Sequence, residues 1–304
     1  MARFVVVGPG QVGAAVAAEA ARAGHEVVVA SRSGSGPDVP GVDRVALDVS
    51  SLAATMDLCR DAAVVVNAAN PAYHRWPELW PPIARALLAG AEAGGAVLAT
   101  VSNLYGYGPV DVPMTEQLPL AATTVKGRVR ADMWREASAA HQAGRVRAFE
   151  VRGSDYLCPG SQSLFGDRTM RPLLAGRTVR LLGDLDQPHS WTSPVDVART
   201  VVRLAADERA WGSAWHVPSA PPRTQREVVG DLAAAAGVTP RVAAVSRAVL
   251  RLGGVFSPLL RELPEMLYEF DRPFVLDSRA AERTFDLAAT PWDEQVAAQV
   301  AAYR

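Results

Sequence analysis

Along the first half of the chain, short, uniformly apolar runs alternate with stretches that are apolar at helical spacing. The runs predict strands over residues 4–7, 26–30, 44–47, 63–66, 96–101 and 146–151. The amphipathic stretches predict helices over residues 11–23, 52–59, 82–93 and 127–142. Gly24 and Gly94-Gly95 stand where a left-handed residue commonly ends a helix. A Val-rich strand that is apolar at every position is covered on both faces, and such strands separated by helices imply a parallel sheet.

Past Arg152 the pattern loosens, with breaks at Cys158-Pro159-Gly160 and Gly183-Asp184. A helix over 195–206, a strand over 214–217 and a helix over 224–236 follow, and the tail from about Ser246 reads as mostly helical. Pro218-Ser219-Ala220-Pro221-Pro222 is the best hinge. The expected architecture is α/β: a Rossmann-type doubly wound parallel sheet with a smaller, mostly helical C-terminal substrate domain. The first domain takes residues 1–158, with 192–217 returning to it; the second takes 159–191 and 218–304.

The predicted first strand runs into Gly8-Pro9-Gly10-Gln11-Val12-Gly13, a G-x-G-x-x-G turn that opens a helix. The first glycine allows the tight turn, the second lets backbone approach a pyrophosphate, and the third lets helix pack on strand. Helix-terminal N–H groups then favour the anion. A dinucleotide ligand follows. At the end of the second strand, where an acid would hold the ribose hydroxyls of NAD, the chain has Ser31-Arg32-Ser33. A guanidinium pairs with a 2′-phosphate that a carboxylate would repel, so NADP(H) is expected over NAD(H). Asp48, after the third strand, either accepts from the adenine amino group or is a turn residue.

A formal net charge of −1 gives no basis for nucleic-acid or anionic-membrane binding. Cys59 and Cys158 lack metal or redox spacing and fit a reduced, cytoplasmic protein. No apolar run is long enough to span a bilayer, and the one after Met1-Ala2-Arg3 is too short for a signal peptide. The wealth of alanine and arginine suggests a GC-rich bacterial host. A small-molecule substrate is the expected partner, with a homodimer as an open option.

With these residues in view, the chain resembles an extended short-chain dehydrogenase/reductase of the NAD-dependent epimerase/dehydratase family. The resemblance rests on Asn67-Ala68-Ala69-Asn70-Pro71, Val101-Ser102-Asn103-Leu104-Tyr105-Gly106, the segment from Arg152 to Gly160, Ser193-Pro194-Val195-Asp196-Val197-Ala198, and the segment from Asp277 to Phe285, in that order. It implies that Asn67, Ala68 and Ala69 border the cofactor and that Ser102 binds the substrate oxygen. Two departures stand out. Val7 occupies the place of the first glycine in the family's G-x-x-G-x-x-G turn. The Y-x-x-x-K pair aligns with Lys126-Gly127-Arg128-Val129-Arg130, so a lysine replaces the tyrosine and an arginine the lysine. No tyrosine lies between Tyr107 and Tyr156 to restore it.

Lys126 then becomes the candidate proton donor, with Arg130 as a neighbouring cation that tunes it and holds the ribose. The alternative is that Lys126, Arg128 and Arg130 form a solvated basic face. Ser102 and Tyr105 are further candidate donors, and Tyr107 follows closely. Tyr73, His74 and Trp76, just past the fourth strand, are expected to wall the pocket with aromatic surface. Asp155 and Trp191 are expected to face the substrate, Asp155 pairing with Lys126 or with a cationic group. The leading expectation is an NADP(H)-dependent oxidoreductase acting on a carbonyl, imine or activated alkene of a hydrophobic small molecule. A non-redox epimerase, lyase or cyclase, and a non-catalytic NADP(H) sensor, are the alternatives.

Overall fold

β1 (Arg3–Val7) is apolar at four successive positions, and each side of it feeds a different core. Phe4 and Val6 face one hydrophobic cluster, Val5 and Val7 the other. This two-sided burial places β1 at the middle of the sheet. The computed structural model describes residues 1–161, 163–245 and 262–304. β2 (Glu26–Ser31), β3 (Val42–Ala46), β4 (Val64–Asn67), β5 (Val97–Ser102), β6 (Arg147–Arg152) and β10 (Ala214–His216) join β1 in a seven-stranded sheet of order β10-β6-β5-β4-β1-β2-β3. Every pairing is parallel. The order reverses between β1 and β4, which makes the gap beyond their carboxyl ends the topological switch point.

α1 (Gln11–Arg22) and α6 (Pro194–Ala205) cover one face, through Val16, Ala17, Ala20, Val197 and Val201. α2 (Leu52–Cys59), α3 (Trp76–Gly94) and α4 (Val125–Gln142) cover the other, through Cys59, Leu87, Ala91, Ala137 and Ala140. A third cluster gathers Leu157, Phe165, Leu173, Leu181 and Trp191 with Val228 and Leu232 of α7 (Gln225–Ala236) and Val296 and Val300 of the helix Trp292–Ala301. β7 (Asp155–Tyr156) pairs with β9 (Trp191–Thr192), and β8 (Val179–Leu182) with β11 (Val242–Val245). α5 (Asp167–Leu174) completes this part. Of the expected helical tail, residues 246–261 lie outside the described residues; beyond them come the helices Tyr268–Asp271, Arg279–Phe285 and Trp292–Ala301.

One boundary differs from expectation by a margin that matters. α3 starts at Trp76, not at residue 82, and carries Pro81 and Pro82 inside it. Prolines normally break a helix. Here the first turns are held by Trp76 and Trp80, one helical turn apart and both buried against α4.

Beneath the sheet's carboxyl edge lies a buried polar chain. Arg152 donates to Glu150 at 2.6 Å and to the Tyr107 hydroxyl at 2.6 Å. Tyr107 meets His216 Nε2 at 2.7 Å, and His216 Nδ1 lies 3.0 Å from the Asp277 carbonyl. Tyr107 is thereby a structural residue of the sheet edge, not a candidate for the pocket. Burial pushes the His216 pKa from 6.5 down to about 4. The unfolded chain therefore takes up this proton first as the pH falls. The stability tied to His216 is complete above its unfolded pKa and is lost toward the folded one, a loss on the order of 3 kcal/mol. Urea midpoints at pH 7 and pH 4.5 check this: the drop is expected to be smaller in His216→Gln than in the unaltered chain, and equal drops would remove His216 from the account.

Candidate active site

The glycine turn fits a dinucleotide in three ways. Gly8 leaves β1 at φ 109°, and a Cβ there would strike the Ala68 carbonyl, so β1 and β4 end in close apposition. A Cβ on Gly13 would overlap the Gly8 carbonyl oxygen, so α1 sits directly on the turn. Gly10, by contrast, has nothing within 4 Å of where its Cβ would be. No side chain caps α1 at Gly10, and no acid lies in its first turn. Open space beside unsatisfied N–H groups suits a pyrophosphate. Gln11 is exposed at this turn, with Gly160 packed close to its side-chain amide. Val12 packs its side chain into the first core, leaving only its backbone to the turn.

At the end of β2, Ser31 donates to the Ser35 carbonyl at 2.8 Å and Ser33 to the Ser35 hydroxyl at 2.9 Å. These hydroxyls are turned into their own loop. Arg32 is exposed and makes no hydrogen bond or ion pair among the described residues. Asp48 shapes its own turn through Oδ1. It accepts from the Ser50 hydroxyl at 2.7 Å and the Ser50 N–H at 3.0 Å, which hold its carboxyl below the usual range. Asn67 accepts from the Ala69 N–H at 3.3 Å and so shapes the turn after β4.

Beyond β4 and β5, the rings of Tyr73, Trp76, Trp80 and Tyr105 gather into one aromatic cluster, the wall of the candidate chamber. The Arg130 guanidinium lies 4.6 Å from the Trp76 ring centre and 4.5 Å from that of Trp80. Arg130 is 8% exposed, and its Nε has no partner. Burial holds its pKa below the usual arginine value, with Glu150 opposing. Arg130 is therefore a clamped, desolvated cation rather than a solvated one.

Lys126 is 1% exposed, so the solvated-face alternative fails. Its ammonium pairs with Glu262 and, at 3.2 Å, with Glu265. It also stands 5.0 Å from the Tyr73 ring centre. Asp155, an expected partner, lies beside His189 instead. Glu265 also accepts from the Val125 N–H at 3.0 Å and so caps the start of α4. Gly127 lets this turn come close: a Cβ there would lie 2.5 Å from the Tyr105 carbonyl oxygen.

Tyr73 and Tyr105 are half-buried, and their hydroxyls interact with each other. Burial, reinforced by Glu269 and Asp155, keeps both far above the ordinary tyrosine pKa. They are proton-bearing donors at neutral pH. Ser102 is buried at the end of β5, with the Glu150 carboxylate near its hydroxyl. His74 is exposed on the turn Tyr73–Arg75, away from the other rings. Trp191 is a core residue: it packs on Phe165 and His189 and donates its indole N–H to the Arg223 carbonyl at 2.9 Å. Asp155 stands 3.0 Å from His189 Nε2 and faces the chamber.

Glu262, Glu265, Tyr268 and Glu269 were not anticipated as site residues. One signal for them was present. Lys126 is the only lysine among 31 lysine and arginine residues, and a lone lysine in an arginine-rich chain demands a specific partner.

Residues 4–216 match the model of the NAD dependent epimerase/dehydratase family, and the chain belongs to that family. Its architecture is that of an extended short-chain dehydrogenase/reductase. Solved structures with the same fold include a UDP-N-acetylglucosamine 4-epimerase from Bacillus cereus, at 13% identity and TM-score 0.79 over 100% of both chains. A dTDP-glucose 4,6-dehydratase from Bacillus anthracis, in complex with NAD, matches at 17% identity and TM-score 0.81 over 100% of this chain and 96% of the other. The epimerase Mth375 from Methanothermobacter thermautotrophicus matches at 14% identity and TM-score 0.83 over 99% and 92%. No curated protein matches the sequence. Among the described residues, no helix is long and apolar enough to cross a membrane.

The glycine geometry separates folding from binding. Gly13→Ala is expected to cost about 1–3 kcal/mol of stability through overpacking. Gly10 has φ −68° and ψ −178°, which suit any residue. Gly10→Ala is expected to leave the unfolding midpoint in place but weaken nicotinamide-dinucleotide binding by about tenfold or more. Tryptophan fluorescence follows both effects.

Proposed function

We propose that the protein is an NADP(H)-dependent oxidoreductase whose substrate is a carbonyl, imine or activated alkene on a hydrophobic small molecule. The observation that carries this reading is the buried Lys126 ammonium, held by Glu262 and Glu265 among the aromatic rings beyond β5. Gly8, Gly10 and Gly13, with the free N–H groups of Gln11 and Val12, hold the pyrophosphate. Arg32, which makes no hydrogen bond or ion pair among the described residues and acts only at longer range on Asp48, receives the 2′-phosphate. A bound nicotinamide cofactor supplies or accepts the hydride.

The chain's own residues manage binding and the proton. Tyr73, Trp76 and Tyr105 offer apolar faces and exclude water. The Tyr105 hydroxyl, protonated throughout the neutral range, donates a hydrogen bond to the reacting oxygen or nitrogen. Lys126 donates the proton as the reduced product forms, and Glu262 and Glu265 fix its position. Arg130 acts beneath this layer by holding Trp76 and Trp80 in place. The third hydrophobic cluster and the elements around it serve as the substrate-binding part. Family membership also favours a second reading, a non-redox epimerase- or lyase-type reaction, which would turn over with no net change in cofactor absorbance.

NADPH is expected to bind at least about tenfold tighter than NADH, and Arg32→Ala to erase the difference. Equal affinities in the unaltered chain would defeat the role of Arg32. Lys126→Met is expected to lower turnover by about a hundredfold or more with cofactor affinity unchanged. Unchanged turnover would defeat the role of Lys126.

A further inference from the structure

The chamber holds more acid than base, and the surplus is unpaired. Glu262 and Glu265 are committed to Lys126. Glu269 is not: it is 2% exposed, and its Oε2 has no hydrogen-bond partner. The neighbouring Tyr268 hydroxyl is buried and equally without a partner. Asp155 Oδ2 is close to His189 but lacks hydrogen-bond alignment with it, so it too is unsatisfied. His189 ties these groups together: its Nε2 lies 3.0 Å from Asp155 Oδ2, its Nδ1 3.2 Å from the Glu269 carbonyl, and it packs on Phe274, whose other neighbour is Tyr268; Asp155 and Glu269 also act electrostatically on the Tyr73 and Tyr105 hydroxyls. Folded chains pair nearly all their buried polar groups. Three orphaned oxygens around one aromatic-lined space mark the seat of a ligand that donates hydrogen bonds.

We propose that the substrate is a hydrophobic amine, whose protonated nitrogen faces Glu269 and Asp155 and is separate from the group that Lys126 protonates, while its apolar body lies against Tyr73, Tyr105 and Tyr268. This deepens the reading given above and rests on it. Aromatic faces attract a cation, and carboxylates bind it with charge-assisted hydrogen bonds. Burial, together with the Asp155 charge, pushes the Glu269 pKa well above the usual carboxylate range. An ammonium beside it reverses that effect and restores the carboxylate. The same groups disfavour an anion, so a sugar diphosphate is a poor fit to this chamber. Arg130, turned between Trp76 and Trp80, acts electrostatically on the Tyr73 and Tyr105 hydroxyls, whereas the charge that acts on Glu269 is that of Asp155.

The test is a binding comparison on the full chain at pH 7, by calorimetry, with and without NADPH. Phenethylamine and tryptamine are each compared with the neutral 2-phenylethanol and tryptophol and with the anionic phenylacetate and indole-3-acetate. In at least one series the amine is expected to bind about tenfold or more tighter than its alcohol, and Glu269→Gln to bring the two within about twofold while alcohol affinity holds. If Glu269→Gln does not fold, Asp155→Asn carries the same comparison. Equal affinity of amine and alcohol, preference for the anion, no amine binding in either series, or a preference untouched by both substitutions would overturn the proposal. NADPH affinity, measured on the same samples, reports separately on the cofactor reading.

Discussion

A single ammonium, buried at the first turn of α4, sets the terms for the rest of the site. A charge withdrawn from water is tolerated only when paired. The start of a helix makes a cation's position worse, because the helix dipole is positive there. Glu265 answers both demands, since one carboxylate serves the Lys126 ammonium and the Val125 N–H. Seating Glu262 and Glu265 on Lys126 and Val125 draws the late segment to the start of α4. Tyr268 and Glu269 arrive with it. The chamber is thus closed by the partner that the buried lysine requires.

The second cation does a different job. Arg130 cannot give up its proton at any working pH. The molecule uses it as a flat, permanent charge between two indole rings, and it thereby fixes the start of α3. Holding Trp76 in place also positions the ring that contacts Tyr73 at 5.0 Å and Tyr105 at 6.1 Å. One helix face therefore divides its labour. Position 126 faces the chamber, and position 130 holds the wall.

Much of the fold was legible because its signals are local. The alternation of Val-rich runs and amphipathic stretches marks six sheet strands and most helices to within a few residues, and the spacing of Gly8, Gly10 and Gly13 marks the switch point. The start of α3 was hidden because Pro77, Pro81 and Pro82 read as breakers, while the force that overrides them comes from Arg130, some fifty residues away in sequence. Trp191 and Tyr107 were ambiguous for a related reason: an aromatic residue near a pocket motif has the same local pattern whether it lines the space or packs beneath it. Lys126 was found by its place in a motif. Its partners were not, since an ion pair spanning more than a hundred residues leaves no periodic trace. The one clue was compositional, a solitary lysine in a chain that otherwise uses arginine.

That solitude also makes the central claim directly measurable. Protein grown with isotopically labelled lysine carries its side-chain label at one position, so Lys126 gives one side-chain resonance. If the buried lysine belongs to a cofactor-dependent site, that resonance shifts on titration with NADPH and shifts again when a substrate amine or carbonyl enters. A resonance at the values of a free, solvated lysine that responds to neither addition would contradict the account.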